Sequence, residues 1–232
     1  MNSNEEKHLK RNVDYLTGEI NGVPTLHVGR GYFNDLGKYK KTLSIPVDLN
    51  MRSTNLFEQL QRYEVIYAID TNKKKHGNIV FTVSCAVHFA LEHEKDNVWR
   101  SAVFTRLPAV LALASQENPE LLAWRRLIDY VSPKISGRVG LVVDSELGNI
   151  PLFNTRAKAI HNDFFLPDNV ELIYASSERD LSSPLNKAIS VCDNDANRIA
   201  KVIIQRLSSD TISKSILSSE NECIFLSPSS SK

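Results

Sequence analysis

From Glu64 onward the chain alternates apolar runs with polar breaks in an order that few architectures accept. EVIYAID (64–70) and NIVFTVSCAVHF (78–89) are rich in β-branched and aromatic residues. A short polar segment ending in His76-Gly77 separates them, which predicts an antiparallel hairpin. VWRSAVFT (98–105) reads as a third strand. PAVLALASQENPELLAWRRLIDYVSPKI then turns helical in character, and its second helix has Asn118 as cap and Pro119 in the first turn. Leu121, Leu122, Trp124, Leu127, Ile128 and Val131 recur there at three-and-four spacing. RVGLVVD (138–144) and VELIYAS (170–176) are compact buried strands, joined through Gly148, Asn149, Pro151 and a polar stretch. Ser183 reads as the N-cap and Pro184 as the first residue of a last helix that runs to about Leu207. Strand, strand, strand, helix, strand, strand, helix predicts a mixed sheet with flanking helices in an α/β domain.

That core occupies residues 61–208. Residues 1–60 read as a short irregular N-terminal region of strands and loops, broken by Asn21-Gly22, Gly29-Arg30-Gly31, Asn34-Asp35 and Gly37. Within it, TLSIPVDL (42–49) alternates as an edge strand, the one setting that tolerates Pro46. STNLFEQLQRY (53–63) reads as a short helix. Residues 209–232 form a serine-rich tail, mobile outside CIFL.

Bulk properties exclude several classes. With 28 Lys and Arg against 27 Asp and Glu, the net charge of +1 exerts no global pull toward nucleic acid or membrane. The longest apolar stretch, near Phe104–Ala114, holds Arg106 and Pro108 and is too short to span a bilayer. The opening MNSNEEKHLKRN is too polar for a secretory signal. Cys85, Cys192 and Cys223 are odd in number and widely spaced, which speaks against a disulfide framework or cysteine zinc site and for a cytoplasmic setting. No Gly-x-Ser-x-Gly occurs, and Gly29-Arg30-Gly31 lacks the rest of a phosphate-binding loop.

The chemistry-bearing residues are carboxylates. Asp70 and Asp144 each end an apolar strand. If those strands lie side by side and parallel, the two carboxylates meet and repel, a conflict that a hard divalent cation removes. Leu185, Ile189, Cys192, Ala196, Ile199 and Ile203 form the buried stripe of the last helix. Asp193 and Asp195 flank that stripe, each roughly 80° from its centre at about 100° per residue. Either can supply a third carboxylate, and Glu146 is a further candidate ligand. As turn, cap or solvated residues these acids would be ordinary individually; their joint placement is what points to a metal site.

Ile69-Asp70-Thr71-Asn72 on the first strand, Asp144 on the fourth, and Ala188-Ile189-Ser190-Val191-Cys192-Asp193 on the last helix resemble the ribonuclease-H-like (retroviral-integrase-like) superfamily. Within it the chain is similar to an uncharacterised bacterial family that opens on Asp-Glu-Ser-Gly. The resemblance covers roughly residues 64–207. It implies a ribonuclease-H-like mixed sheet and two-metal hydrolysis of DNA or RNA phosphodiesters, with Mg²⁺ or Mn²⁺ ions about 4 Å apart. Asp70 would bridge both ions, Asp144 would bind one and Asp193 the other. Lys73, Lys74 and Lys75 would meet backbone phosphate, or else form a solvated hairpin turn. His76 is a candidate proton-transfer group.

Two other readings stay open. Asp-Thr-Asn after a strand also begins PIN-domain ribonucleases, although there the strand feeds a helix and here KKKHGNIVFTVSCAV leads into another strand. From a different class, a non-catalytic binding or regulatory module on the same fold would act through a protein or nucleic-acid partner, for example in a defence or toxin-like assembly. Thr71-Asn72-Lys73 in place of Glu-Ser-Gly favours that module.

Overall fold

The strands most crowded with β-branched residues form the centre of the sheet. In the computed structural model, residues 15–20, 23–28, 40–48, 58–93, 99–113, 119–131, 135–144, 167–177, 183–207 and 223–228 are described. Ten strands join one sheet: β1 (Tyr15–Ile20), β2 (Val23–Val28), β3 (Thr42–Asp48), β4 (Val65–His76), β5 (Ile79–His93), β6 (Trp99–Arg106), β7 (Ala109–Leu113), β8 (Val139–Asp144), β9 (Val170–Ala175) and β10 (Cys223–Pro228). Among the described residues, two long helices flank it, α1 (Pro119–Val131) and α2 (Pro184–Leu207).

β4 and β5 make the expected hairpin, but it is longer than the apolar runs. Pairing continues without a break from Ile66↔Phe89 to His76↔Ile79. Strand β4 therefore does not stop at Asp70; it carries Lys73, Lys74 and Lys75 within the ladder, and the turn is reduced to Gly77-Asn78. Gly77 takes a φ of 58°, the left-handed conformation that a two-residue hairpin turn demands of its first central residue.

The outer edge of β5 is shared. Its C-terminal half pairs with β6 (Val87↔Arg106 to His93↔Arg100) and its N-terminal half with β7 (Phe81↔Leu113 to Ser84↔Val110). The break falls at Leu107-Pro108, where Leu107 N donates to Ala86 O at 2.9 Å and Pro108 has no N–H to continue the ladder. The helix expected to begin at Pro108 is thus a strand. A short run that is apolar on every side does not distinguish strand from helix, and here two sheet partners, β5 and β10, decide it.

β8 lies parallel to β4, and β9 parallel to β8. The central order β6-β5-β4-β8-β9 is antiparallel among the first three strands and parallel thereafter, the mixed sheet with flanking helices that the sequence predicts. Both faces of its middle are covered, which is why β8 is buried over Val139–Val143. On one face Leu127 and Ile128 of α1 pack on Ile69, Ala86, Val110, Leu141, Val143 and Leu172. On the other, α2 covers Ile66, Ala68, Val87, Phe89 and Val142 with its first half and Phe81, Val83, Cys85 and Leu111 with its second.

β3 pairs with β6 from Thr42↔Thr105 to Asp48↔Trp99, leaving Pro46 on an edge strand. β10 fits between β2 and β7, and β1 forms a hairpin with β2. Of the helix expected over 53–63, residues 58–60 form a helical turn and 53–57 lie outside the described residues. Among the described residues no helix is long and apolar enough to cross a membrane.

Candidate active site

The two strand aspartates are placed by register. Parallel pairs run Val65↔Val139, Ile66↔Gly140, Tyr67↔Leu141 and Ala68↔Val142. Ala68 and Val142 pack in one cluster with Ile189 and Cys192 of α2. One two-residue repeat further along each strand come Asp70 and Asp144, on that same face. The Cys192 thiol donates to Ala68 O at 3.3 Å, so α2 crosses β4 two residues before Asp70. Asp70 Oδ1 accepts the Thr71 N–H at 2.8 Å, and Asp144 Oδ2 accepts the Ser177 hydroxyl at 3.3 Å.

The helix acids go opposite ways, because residues two apart on a helix point about 200° apart. Asp195 faces β6. Arg106 grips it with Nε on Oδ2 at 2.5 Å and Nη2 on Oδ1 at 3.0 Å, and Arg198 Nη1 lies 3.6 Å from Oδ1. Asp195 is only 7% exposed. Arg106 also donates to Lys40 O and, through its backbone N–H, to Lys41 O, so one guanidinium ties α2, β6 and the chain entering β3. Asp193 is half-buried and, two residues before Asp195, leaves the helix on the side away from the Arg106 pair.

Glu146 lies outside the described residues. Of the lysines, Lys74 alternates onto the face of Asp70, whereas exposed Lys73 and Lys75 project from the opposite face. His76 is half-buried at the end of β4. Among the described residues, no three His, Cys, Asp or Glu side chains stand close enough together to hold a metal ion by themselves. Asp70 within β4 and Asp144 at the end of β8 nonetheless offer oxygens, the chemistry that Mg²⁺ and Mn²⁺ take.

The cysteines add no nucleophile. Burial pushes the thiols of Cys85 and Cys192 well above their ordinary range, and the nearby Asp195 and Asp70 carboxylates add to the effect. Both therefore stay protonated and act as core residues. Arg106 is the residue that sequence reasoning passed over. Its signal was a lone arginine inside an apolar run, VFTRLPAV, where a charge needs a partner.

On the α1 face, His88 packs against the Tyr67 ring, centroids 5.5 Å apart. Burial lowers its pKa below the ordinary value. The folded state thus disfavours a proton that the unfolded chain accepts near pH ~6.5. Stability is expected to be full above that pH and to fall below it. Urea midpoints at pH 7.5 and 5.5 check this: the drop should be smaller in His88→Gln than in the wild type.

No family model matches the chain, and no curated protein matches it. Among solved structures it is similar to foamy virus protease-reverse transcriptases. The native prototype foamy virus enzyme is 12% identical, with a TM-score of 0.39, over 59% of this chain and 21% of that chain. The foamy viral enzyme in complex with an RNA/DNA hybrid is 10% identical, with a TM-score of 0.36, over 59% of this chain and 20% of that one. The one in complex with dsDNA is 12% identical, with a TM-score of 0.32, over 58% of this chain and 94% of that chain. The chain spans about a fifth of the length of the first two.

Proposed function

We propose that the protein is a metal-dependent nuclease that hydrolyses phosphodiester bonds of DNA or RNA, with Asp70, Asp144 and Asp193 as its ligand carboxylates. The observation that carries this reading is the β4–β8 register from Val65↔Val139 to Ala68↔Val142, whose continuation by one repeat would bring Asp70 beside Asp144 on the face under α2. Two carboxylates held side by side repel, and a divalent cation offsets that repulsion. When bound, Mg²⁺ or Mn²⁺ would supply a water activated for attack and charge stabilisation at the phosphate. The chain's own part is to hold the carboxylates on rigid strands, to present Asp193 from α2, and to offer the Lys74 ammonium on the same face to a phosphate oxygen. Nucleic acid is the partner in this reading, and buried, unpaired Cys85 and Cys192 suit a cytoplasmic setting.

A non-catalytic binding module is the second reading. The engagement of Asp195 by Arg106 and Arg198 favours it, because that carboxylate is already neutralised. A cleavage assay on single- and double-stranded DNA and RNA, with Mg²⁺, Mn²⁺ or EDTA, separates the two. Metal-dependent products that EDTA abolishes support the nuclease; no product on any substrate supports the module.

A further inference from the structure

Two buried amide oxygens have no hydrogen-bond partner among the described residues: Oδ1 of Asn72 and Oδ1 of Asn197. Buried polar atoms are nearly always satisfied, so an orphan calls for a specific explanation, an ion or water among them. The places of these two single them out. Asn72 lies two residues past Asp70, and β4 pairs with β5 without a register break there, so both side chains leave the same face. Asn197 lies four residues past Asp193 on α2, one turn further along the same side. Strand and helix meet at this point: Val83, the cross-strand partner of Asn72, packs with Ala196, Ile199 and Ala200, which bracket Asn197. Each orphan oxygen thus stands one structural repeat beyond a candidate carboxylate ligand.

We infer that the side-chain amide oxygens of Asn72 and Asn197 are neutral donors to a divalent cation, extending the site of Asp70 and Asp193 along the seam between β4 and α2. This rests on the nuclease reading above. Asparagine carbonyl oxygens serve beside carboxylates in the coordination of hard cations. Neutral donors raise the ligand number without adding negative charge to that of Asp70 and Asp193. The other buried orphans, Nε of Arg126 and of Arg198, are hydrogen-bond donors and have no such use.

The test measures Mn²⁺ binding to the full chain by calorimetry and by electron paramagnetic resonance of free Mn²⁺, with thermal melting in EDTA alongside. The variants are Asn72→Leu, Asn197→Leu and Asn72→Asp, with Asn72→Ser and Asn197→Ser in reserve should a leucine fail to fold. The leucine variants are expected to melt in EDTA at or above the wild-type temperature, because an orphan polar group is gone. They should bind Mn²⁺ at least about tenfold more weakly. Asn72→Asp should recover the affinity through its carboxylate. Wild-type binding with unchanged affinity in both leucine variants overturns the donor role and leaves the nuclease reading intact. Leucine variants that melt well below the wild type in EDTA yet keep their Mn²⁺ affinity make the asparagines structural, and overturn it equally. A wild type that binds no Mn²⁺ overturns the donor role and the metal-dependent reading together.

Discussion

Replacing Asp195 by alanine is expected to lower stability by about 3–5 kcal/mol, seen as a large fall in the urea midpoint. The cost comes from what is left behind. The Arg106 side chain is only 12% exposed, and Asp195 accepts two of its N–H groups. Without the carboxylate, a guanidinium stays in the interior deprived of this ion pair, and Arg198 loses the same partner. A typical domain has about 5–15 kcal/mol in hand, so this single change removes a large part of the margin. Removing both charges should cost much less: Arg106→Met with Asp195→Leu leaves no buried ion. A double-mutant cycle with strong coupling is therefore expected. Near-additive losses would show that each residue acts through packing alone.

Replacing Asp70 by asparagine is expected to abolish metal-dependent cleavage, by more than about 100-fold, while leaving the melting temperature in EDTA at or above the wild-type value. Asparagine keeps the shape and an oxygen to accept the Thr71 N–H, but removes the charge that a cation would need. In the proposed site that charge also faces Asp144, so the apo protein is expected to lose no stability with it. Activity should therefore fall while stability does not. A variant that loses both together would assign Asp70 to the fold.

The contrast between these two acids shows what the sequence could reveal. Asp193 and Asp195 flank the buried stripe of α2 symmetrically, so periodicity alone ranks them equally. What separates them is Arg106, 89 residues away along the chain, and no local pattern announces that pairing. Elements with local signals were legible: Ser183 and Pro184 mark the start of α2, Pro119 that of α1, and the apolar run of β8 its boundaries. β7 was not, because five apolar residues after a proline suit a helix as well as a strand. The extent of β4 was hidden too. Thr71 to His76 carry no apolar run, and they are strand because β5 opposite them has the residues to pair with. That extension moves Lys73 and Lys75 off the turn and onto the face away from Asp70.

In the proposed nuclease, the β4–β8 register builds a cation site under α2. Crystals grown with Mn²⁺ and measured at the manganese absorption edge test it most directly. An anomalous peak bounded by the Asp70 and Asp144 carboxylates is expected, lost in Asp70→Asn. A protein that diffracts well in saturating Mn²⁺ with no peak there, or with manganese only at surface carboxylates elsewhere, would contradict it.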